Sequence, residues 1–120
     1  MNSLTKRVLC KKDYVRIEAI YNKLDIVNES LEHLIANAEI CENEEISITR
    51  VGIDSHVDFL DLDSKKSRSI YLTLPSKKLE TQNAISILSP VGLALIGACV
   101  NDSVSFMLPN SKLRKLHILN

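Results

Sequence analysis

The residue types that most often carry enzymatic chemistry are few and scattered in this 120-residue chain. Its three histidines, His33, His56 and His117, are far apart, and none forms a known catalytic motif with a serine or cysteine. Nucleophilic catalysis needs a base within hydrogen-bond reach of the nucleophile. The chain has only three glycines and no phosphate-binding glycine loop. We therefore predict no enzymatic activity, no catalytic residue and no cofactor, and we interpret the histidines as structural or exposed.

The cysteines are odd in number and widely spaced, at Cys10, Cys41 and Cys99. No C-x-x-C pair occurs, so the pattern predicts neither a zinc site nor a disulfide framework. We interpret the three residues as reduced thiols of a cytoplasmic protein. The first residues lack the apolar core of a secretory signal, and no apolar run reaches the roughly 20 residues of a membrane span. The sequence thus predicts a cytoplasmic location and no membrane partner.

Charge is balanced overall but unevenly distributed, and the formal net charge is zero. Residues 1–12 carry four basic side chains and no acid, which is typical of a solvated tail or of an arm contacting nucleic acid or an acidic protein. Residues 24–45 carry seven acids and no Lys or Arg. Carboxylates suit hard cations, which makes Asp25 and Glu29 candidates for a metal-related role. The plainer interpretation is a solvated helix face with an acidic linker, and we predict no metal site.

Two apolar stripes precede that acidic linker and predict an antiparallel helical hairpin over residues 13–41. Asp13 is a plausible N-cap for a helix from Tyr14 to about Leu24, and Asn28 or Ser30 can cap a second helix that ends near Ile40. The stripes consist of Tyr14, Ile17, Tyr21 and Leu24 in the first helix and Val27, Leu31, Leu34 and Ala38 in the second. Each helix would be less than about 20 Å long.

From residue 46 onward the apolar period changes from that of a helix to two, which is typical of strands. The alternating positions include Ile46 and Ile48, Val57 and Phe59, Ile70 and Leu72, Val104 and Phe106, and Leu116 and Ile118. Polar turns at 63–67 and 109–111 separate several of these runs. The pattern predicts an α+β fold, in which the hairpin is followed by an antiparallel sheet of about five strands with one short helix across it.

That short helix follows a sharp corner in the segment from Ile85 to Gly97. Ser89 is a good N-cap, and Pro90 suits the first helical position because its missing N–H costs nothing there. Gly97 can adopt the left-handed conformation that ends many helices. A helix of about two turns is not stable alone, so the sheet must hold it.

The corner, together with Val100 to Val104 behind it, resembles the C-terminal domain of the Gre transcript-cleavage factors. Their pattern is approximately I-S-x-x-S-P-x-G-x-A-L-x-G followed by V-G-D-x-V, and Asn101 replaces the usual glycine of the second part. The resemblance extends over approximately residues 13–120. The family includes members with an unusually short hairpin. It implies an FKBP-like fold for residues 46–120, linked to the hairpin by the acidic connector.

The resemblance also implies a function, which is regulation of transcription by binding RNA polymerase. The family's domain docks on a coiled coil at the rim of the polymerase secondary channel, and the corner contributes to that contact. The corresponding residues here are Leu88, Ser89, Pro90, Val91 and Ala94. Leu88 replaces an aspartate of the cleavage factors, an acid suited to pairing with an arginine. The docking predicted here is therefore more apolar, or its partner differs.

The length of the hairpin predicts how the activity would differ from that of the cleavage factors. Their acidic finger tip helps to hold a metal ion at the polymerase active centre, but the finger is more than twice as long. We therefore expect no stimulation of cleavage and no metal at Asp25 and Glu29. We expect competition with Gre-type factors for the rim instead, without direct sequence-specific contact with nucleic acid.

Two other functions remain open. The FKBP-like fold is compatible with a prolyl isomerase or peptide-binding chaperone, although fold alone is weak evidence and the chain is poor in aromatics. The second alternative is an interaction module with another partner. Such a module could act through self-association of the hairpin by the apolar stripe on its first helix. The sequence leaves the oligomeric state open.

Overall fold

Three helices and seven strands make up the described part of the chain, residues 6–42, 49–75, 83–108 and 110–119 of a computed structural model. None of the helices in these ranges is long and apolar enough to cross a membrane. In chain order the elements are β1 (Val8–Cys10), α1 (Lys11–Lys23), α2 (Glu29–Asn37), β2 (Glu39–Cys41), β3 (Ser55–Asp61), β4 (Lys66–Thr73), β5 (Ala84–Ser86), α3 (Pro90–Leu95), β6 (Ser103–Met107) and β7 (Leu113–Ile118).

Five strands form the main sheet in the order β5-β4-β3-β7-β6. The predicted mixed α+β class is confirmed, but the prediction of a wholly antiparallel sheet is wrong, because β5 runs parallel to β4. A two-residue turn can join only antiparallel strands. Here the chain leaves β4 at Thr73 and enters β5 at Ala84, a connection long enough to bring it back to the same end of the sheet. Alternation of side chains predicts strands but carries no information on their direction.

The inward face of the sheet agrees with the alternation in the sequence. Val57 and Phe59 of β3 and Ile70 and Leu72 of β4 are fully buried. The same holds for Val104, Leu116 and Ile118 on the β6–β7 side. The predicted strand around Ile46 and Ile48 lies outside the described residues.

Both predicted hairpin helices are present, with different bounds. Helix α1 begins at Lys11, two residues before the predicted cap, and its N-cap residue Cys10 makes no side-chain capping bond. Asp13 instead lies in the first turn, where its carboxylate accepts hydrogen bonds from the backbone amide of Ile53 (3.1 Å) and the guanidinium of Arg16 (2.7 Å). Asn28 caps α2 as predicted, because its side chain accepts a bond from the amide of Leu31 at 3.0 Å.

The hairpin packs against the sheet and shares one hydrophobic core with it. Ile17 of α1 and Leu31 and Leu34 of α2 belong to the same buried cluster as Phe59 and Leu95. The molecule consequently extends 35 × 34 × 33 Å along its principal axes, almost equally in all directions. A hairpin that pointed away from the sheet would have lengthened one of these axes.

The predicted basic arm is partly an ordered layer of the fold, so for residues 6–12 the interpretation as a solvated tail is wrong. β1 pairs in parallel with β2, and the amide of Val8 also donates to the carbonyl of Gly97 at 2.9 Å. Leu9 is buried in the common core. A three-residue strand between charged residues gives little periodic signal, which is why the sequence did not indicate it.

Candidate functional site

The corner between β5 and α3 is held by hydrogen bonds that converge on two serines. The hydroxyl of Ser89 accepts a bond from the amide of Gly92 (3.0 Å) and donates to the carbonyl of Ser86 (2.7 Å). The hydroxyl of Ser86 accepts from the amide of Leu88 at 3.1 Å. The predicted cap at Ser89 and the proline at the first helical position are therefore confirmed. These bonds fix the corner with little conformational freedom.

Gly92 allows the first turn of α3 to lie directly on the preceding chain. A Cβ atom at this position would lie 2.2 Å from the carbonyl oxygen of Ser86 and 2.8 Å from the Cα atom of Ile87. No side chain fits such a space, so the glycine of the corner motif serves close backbone packing. The predicted left-handed cap is also confirmed, since Gly97 has a φ of +80°.

The C-terminal end of α3 is bound by a cation from the N-terminal layer. Arg7 donates from Nη1 to the carbonyls of Leu93 (3.2 Å) and Ile96 (3.1 Å). A positive charge is favourable at this end of a helix, where carbonyl groups lack intrahelical partners. Burial lowers the pKa of Arg7, and the nearby carboxylate of Asp102 partly opposes this effect. Arg7 thus connects the layer that contains β1 to the corner.

A surface cleft of about 950 Å³ separates α2 from the corner and β6. Its corner wall includes Leu88, Pro90, Leu93 and Ala94. The facing wall is the polar side of α2, including Glu29, His33 and Asn37, and β6 contributes Ser105, Phe106 and Met107. Lys6 and Arg7 also line the cleft. One wall is therefore mainly apolar, and the rest of the lining is polar with both basic and acidic side chains, a combination suited to an amphipathic protein surface.

The structure brings together some of the predicted docking residues. Leu88, Pro90 and Ala94 line the cleft, whereas Ser89 and Val91 do not. Pro90 is exposed, and Leu88, Ser89 and Val91 are half-buried. Ala94 is only 5% exposed, so it supports the corner more than it presents a surface.

Sequence reasoning missed the contribution of β6 to this surface. Met107 is 58% exposed at the end of β6, and Phe106 is half-buried beside it. The sequence does contain an indication of this surface, because Met107 is an apolar residue at an outward-facing position of an alternating strand. Flexible methionine side chains adapt readily to apolar partners, which makes Met107 a candidate contact residue.

The hairpin tip is more apolar than its acidic sequence indicates. Ile26 and Val27 lie between the two helices and are 82% and 71% exposed. Asp25 is exposed beside them, and Glu29 is the first residue of α2 and lines the cleft. Within the described ranges, no cluster of three His, Cys, Asp or Glu side chains could hold a metal ion.

The stripe on α1 is occupied within the chain. Ile17 is fully buried, and the hydroxyl groups of Tyr14 and Tyr21 donate to the carbonyl of Ile35 and the carboxylate of Glu32 on α2. Self-association through this stripe would require the hairpin to open.

The three histidines remain apart in the fold. His33 contacts Asn37 within α2, His56 packs against the ring of Tyr71, and His117 lies 3.1 Å from the hydroxyl of Ser103.

The class of protein follows from the corner and the sheet that supports it. A family model described as the C-terminal part of the transcription elongation factors GreA and GreB matches residues 45–120, more than half of the chain. The chain belongs to the GreA/GreB family. The family resemblance predicted from the corner motif is thereby confirmed.

Particular relatives include a regulator of nucleoside diphosphate kinase and a GreA factor. The regulator of nucleoside diphosphate kinase of Escherichia coli K12 is 30% identical over 93 residues, which cover 78% of this chain and 68% of that protein. The GreA factor of Chlorobium phaeovibrioides is 36% identical over 84 residues, and the match covers 69% of this chain but only 53% of that factor.

A solved structure agrees over nearly the whole chain. The GreA/GreB elongation factor from Nitrosomonas europaea superposes with a TM-score of 0.76 at 29% identity, covering 96% of each chain. The Thermus aquaticus factor Gfh1 superposes with a TM-score of 0.51 at 20% identity, which shows similarity of fold alone.

Proposed function

We propose that this protein is a transcription regulator that binds RNA polymerase at the rim of the secondary channel. In this proposal the corner at Leu88, Ser89, Pro90 and Val91 contacts the coiled coil of the rim, and Ala94 supports the corner from behind. Membership in the GreA/GreB family supports the choice of partner. The observation that carries the proposal is the rigid corner with exposed Pro90, because a preformed contact surface loses little entropy on binding.

The cleft extends this proposed surface beyond the corner. Leu88 and Pro90 share the cleft with exposed Met107, so a helix of the rim would meet apolar side chains from both the corner and β6. Leu88 replaces the acid that the resemblance implies for the cleavage factors. Docking here depends on apolar contact at the point where those factors have an ion pair, which makes it less sensitive to salt.

We further propose that binding does not stimulate transcript cleavage. Helices of 13 and 9 residues are about 20 Å and 14 Å long. Asn28, Glu29 and Ser30 at the start of α2 line the same cleft as the corner. A hairpin that turns back towards the docking surface cannot carry carboxylates deep into a channel. The protein would act by occupying the rim and excluding Gre-type factors.

Co-purification with core RNA polymerase, with a GreA factor as competitor, tests this proposal. We expect the two proteins to exclude one another, so a stable ternary complex would contradict the proposal. Leu88→Lys should abolish binding through repulsion of a rim arginine and loss of apolar contact. Leu88→Asp loses the same apolar contact but supplies the acid of the cleavage factors, so it should bind better than Leu88→Lys and with more sensitivity to salt.

Two controls separate loss of contact from loss of fold. Val15→Lys places the same charge on an exposed side chain of α1 that does not line the cleft, and should bind as the unmodified chain does. Melting curves of both Leu88 variants show whether the corner is intact. Unchanged binding by a folded Leu88→Lys variant would exclude the corner as the contact.

The other predicted functions have less support. The comparison of the sheet with FKBP proteins stays a prediction from the family resemblance, and no described cleft residue other than Phe106 is aromatic. An interaction module with a different partner would use the same cleft, and the competition experiment distinguishes it, since such a module would not displace GreA.

A further inference from the structure

Two cysteines that are 31 positions apart in sequence lie directly opposite each other in the fold. Cys10 is the last residue of β1, Cys41 is the last residue of β2, and the parallel register of these strands pairs them. Neighbouring strands are about 4.8 Å apart, and paired residues project from the same face of a sheet. A disulfide spans Cα atoms about 4.4–6.8 Å apart, and the spacing of paired strands falls within this range.

Both side chains are accessible to small oxidants. Cys10 and Cys41 are half-buried thiols, and the pair of strands forms a separate two-stranded sheet in the described chain. Leu9, between Val8 and Cys10, is buried in the core. Cys10 therefore faces away from the core, on the side where Cys41 pairs with it. Core packing does not prevent bond formation on this face.

We propose that Cys10 and Cys41 are a redox-modified pair that forms a reversible disulfide. With hydrogen peroxide, the thiolate of one cysteine attacks an oxygen, giving a sulfenic acid and releasing one water after proton transfer. The second thiol then attacks that sulfur, forms the S–S bond and releases a second water. The two thiols lose two electrons and two protons in total, and the peroxide is reduced. A small disulfide would produce the same bond by exchange, releasing two small thiols.

The bond would join the two ends of the helical hairpin. Cys10 immediately precedes α1 and Cys41 is the last residue of β2, four positions after the end of α2, so the closed loop contains both helices. β1 is also bonded to Gly97 behind α3, and α2 forms one wall of the cleft. Oxidation would therefore restrain the α2 wall relative to the corner. This inference does not depend on which partner the cleft binds.

Oxidation of the purified full-length chain tests the pair. The reduced protein is treated with hydrogen peroxide or oxidised glutathione, and its thiols are counted by a colorimetric reagent and by intact mass. We expect two of the three thiols to be lost with a mass decrease of two hydrogens, and a peptide map that joins the segments containing Cys10 and Cys41. The melting temperature should rise by about 10 °C, because the cross-link restricts the unfolded chain. A reducing agent should reverse all of these changes.

Matched variants identify the partners. Cys99, which lies opposite Arg50 in an isolated bridge, is the control, and Cys99→Ser should still lose two thiols. Cys10→Ser and Cys41→Ser should form no intramolecular bond, and Cys10→Ala and Cys41→Val replace them if a serine variant does not fold. A peptide linked through Cys99, a disulfide-linked dimer of two chains, or oxidation to sulfinic acid without an S–S bond would overturn the proposal.

Discussion

Asp13 shows how one side chain can attach a helix to a distant part of the chain. It is 7% exposed, and its carboxylate connects Arg16 on the same helix with the amide of Ile53 before β3. Gly52 leaves room for it, because a Cβ atom there would lie 2.9 Å from the Asp13 carboxylate, which would then have to shift. Buried carboxylates are stable only when such partners are present.

Replacing Asp13 tests the strength of this attachment. Asp13→Ala leaves the buried amide of Ile53 without its acceptor and leaves Arg16 with Asp54 as its remaining acidic partner, so it should cost about 1–3 kcal/mol of unfolding free energy in urea titrations. Asp13→Asn retains an acceptor for Ile53 but loses the ion pair, so its loss should be smaller. Equal losses in the two variants would show that the charge, and not the bond to Ile53, holds the helix.

Asp61 makes stability depend on pH at the other end of the sheet. Partial burial alone would raise the pKa of Asp61, but amides of Ser64 and Asp63 and the guanidinium of Arg114 outweigh it and keep the pKa below its usual value. Arg114 donates to Asp61 at 2.7 Å, which links β7 to β3. A carboxyl group with a lowered pKa stabilises the folded state above its unfolded pKa.

The expected pH effect has a defined sign. The Asp61 contribution should be fully present near neutral pH and should be lost as the pH falls below about 4 through the folded pKa. Asp61→Asn lacks this contribution, so the difference in melting temperature between the two proteins should shrink on acidification. A difference that stays constant from pH 7 to pH 3 would contradict this assignment. Asp63→Asn is the comparison for a neighbouring exposed acid.

Among the elements, α3 and its corner were the part that sequence predicted best. The signals there are local: Ser89 at the cap, Pro90 after it and Gly97 at the end all act within a few residues. Asp13 also resembled a local cap, but its partner is the amide of Ile53, 40 residues away. Sequence patterns predict which residues face inward. They do not show which distant backbone group a side chain will bind, nor that β5 runs parallel to β4.

Because the hydrogen bonds of the corner are local, substitutions of Ser89 test them directly. Ser89→Ala removes both the bond from Gly92 and the bond to Ser86, and should destabilise the protein by about 0.5–2 kcal/mol. Ser89→Asp can still accept from Gly92 but cannot donate, so it should recover part of the loss. The measurement is urea unfolding, and a Ser89→Asp variant weaker than Ser89→Ala would show that the bond to Ser86 dominates.

At the scale of the whole molecule, the common core decides how far the hairpin can reach. Leu31 and Leu34 are buried with Leu95, which keeps α2 beside α3. The sequence predicted a short hairpin, but it did not show that the hairpin lies against the sheet, because a stripe of apolar residues fits a partner helix or a sheet equally well. The cleft between α2 and the corner is a result of this packing.

An assay on backtracked transcription complexes tests the consequence for activity. We expect no cleavage above the polymerase's own rate at saturating protein, because the hairpin is short and Glu29 lies at the cleft beside the corner. GreA is the positive control in the same reaction. Stimulated cleavage that disappears in Asp25→Ala or Glu29→Ala, but not in the distant Asp63→Ala, would contradict the argument from hairpin length.

The hydrogen bonds that join Arg7 and Val8 to the end of α3 also set an order of events during synthesis. The amide of Val8 requires the carbonyl of Gly97, and Arg7 requires the carbonyls of Leu93 and Ile96. A ribosome adds about 5–20 residues per second, so it synthesises the hairpin seconds before the residues that carry these acceptors. Arg7 and Val8 can therefore make these bonds only after α3 and Gly97 have been synthesised. Until then the layer that contains β1 has its partner strand β2 but lacks its attachment to α3 and Gly97.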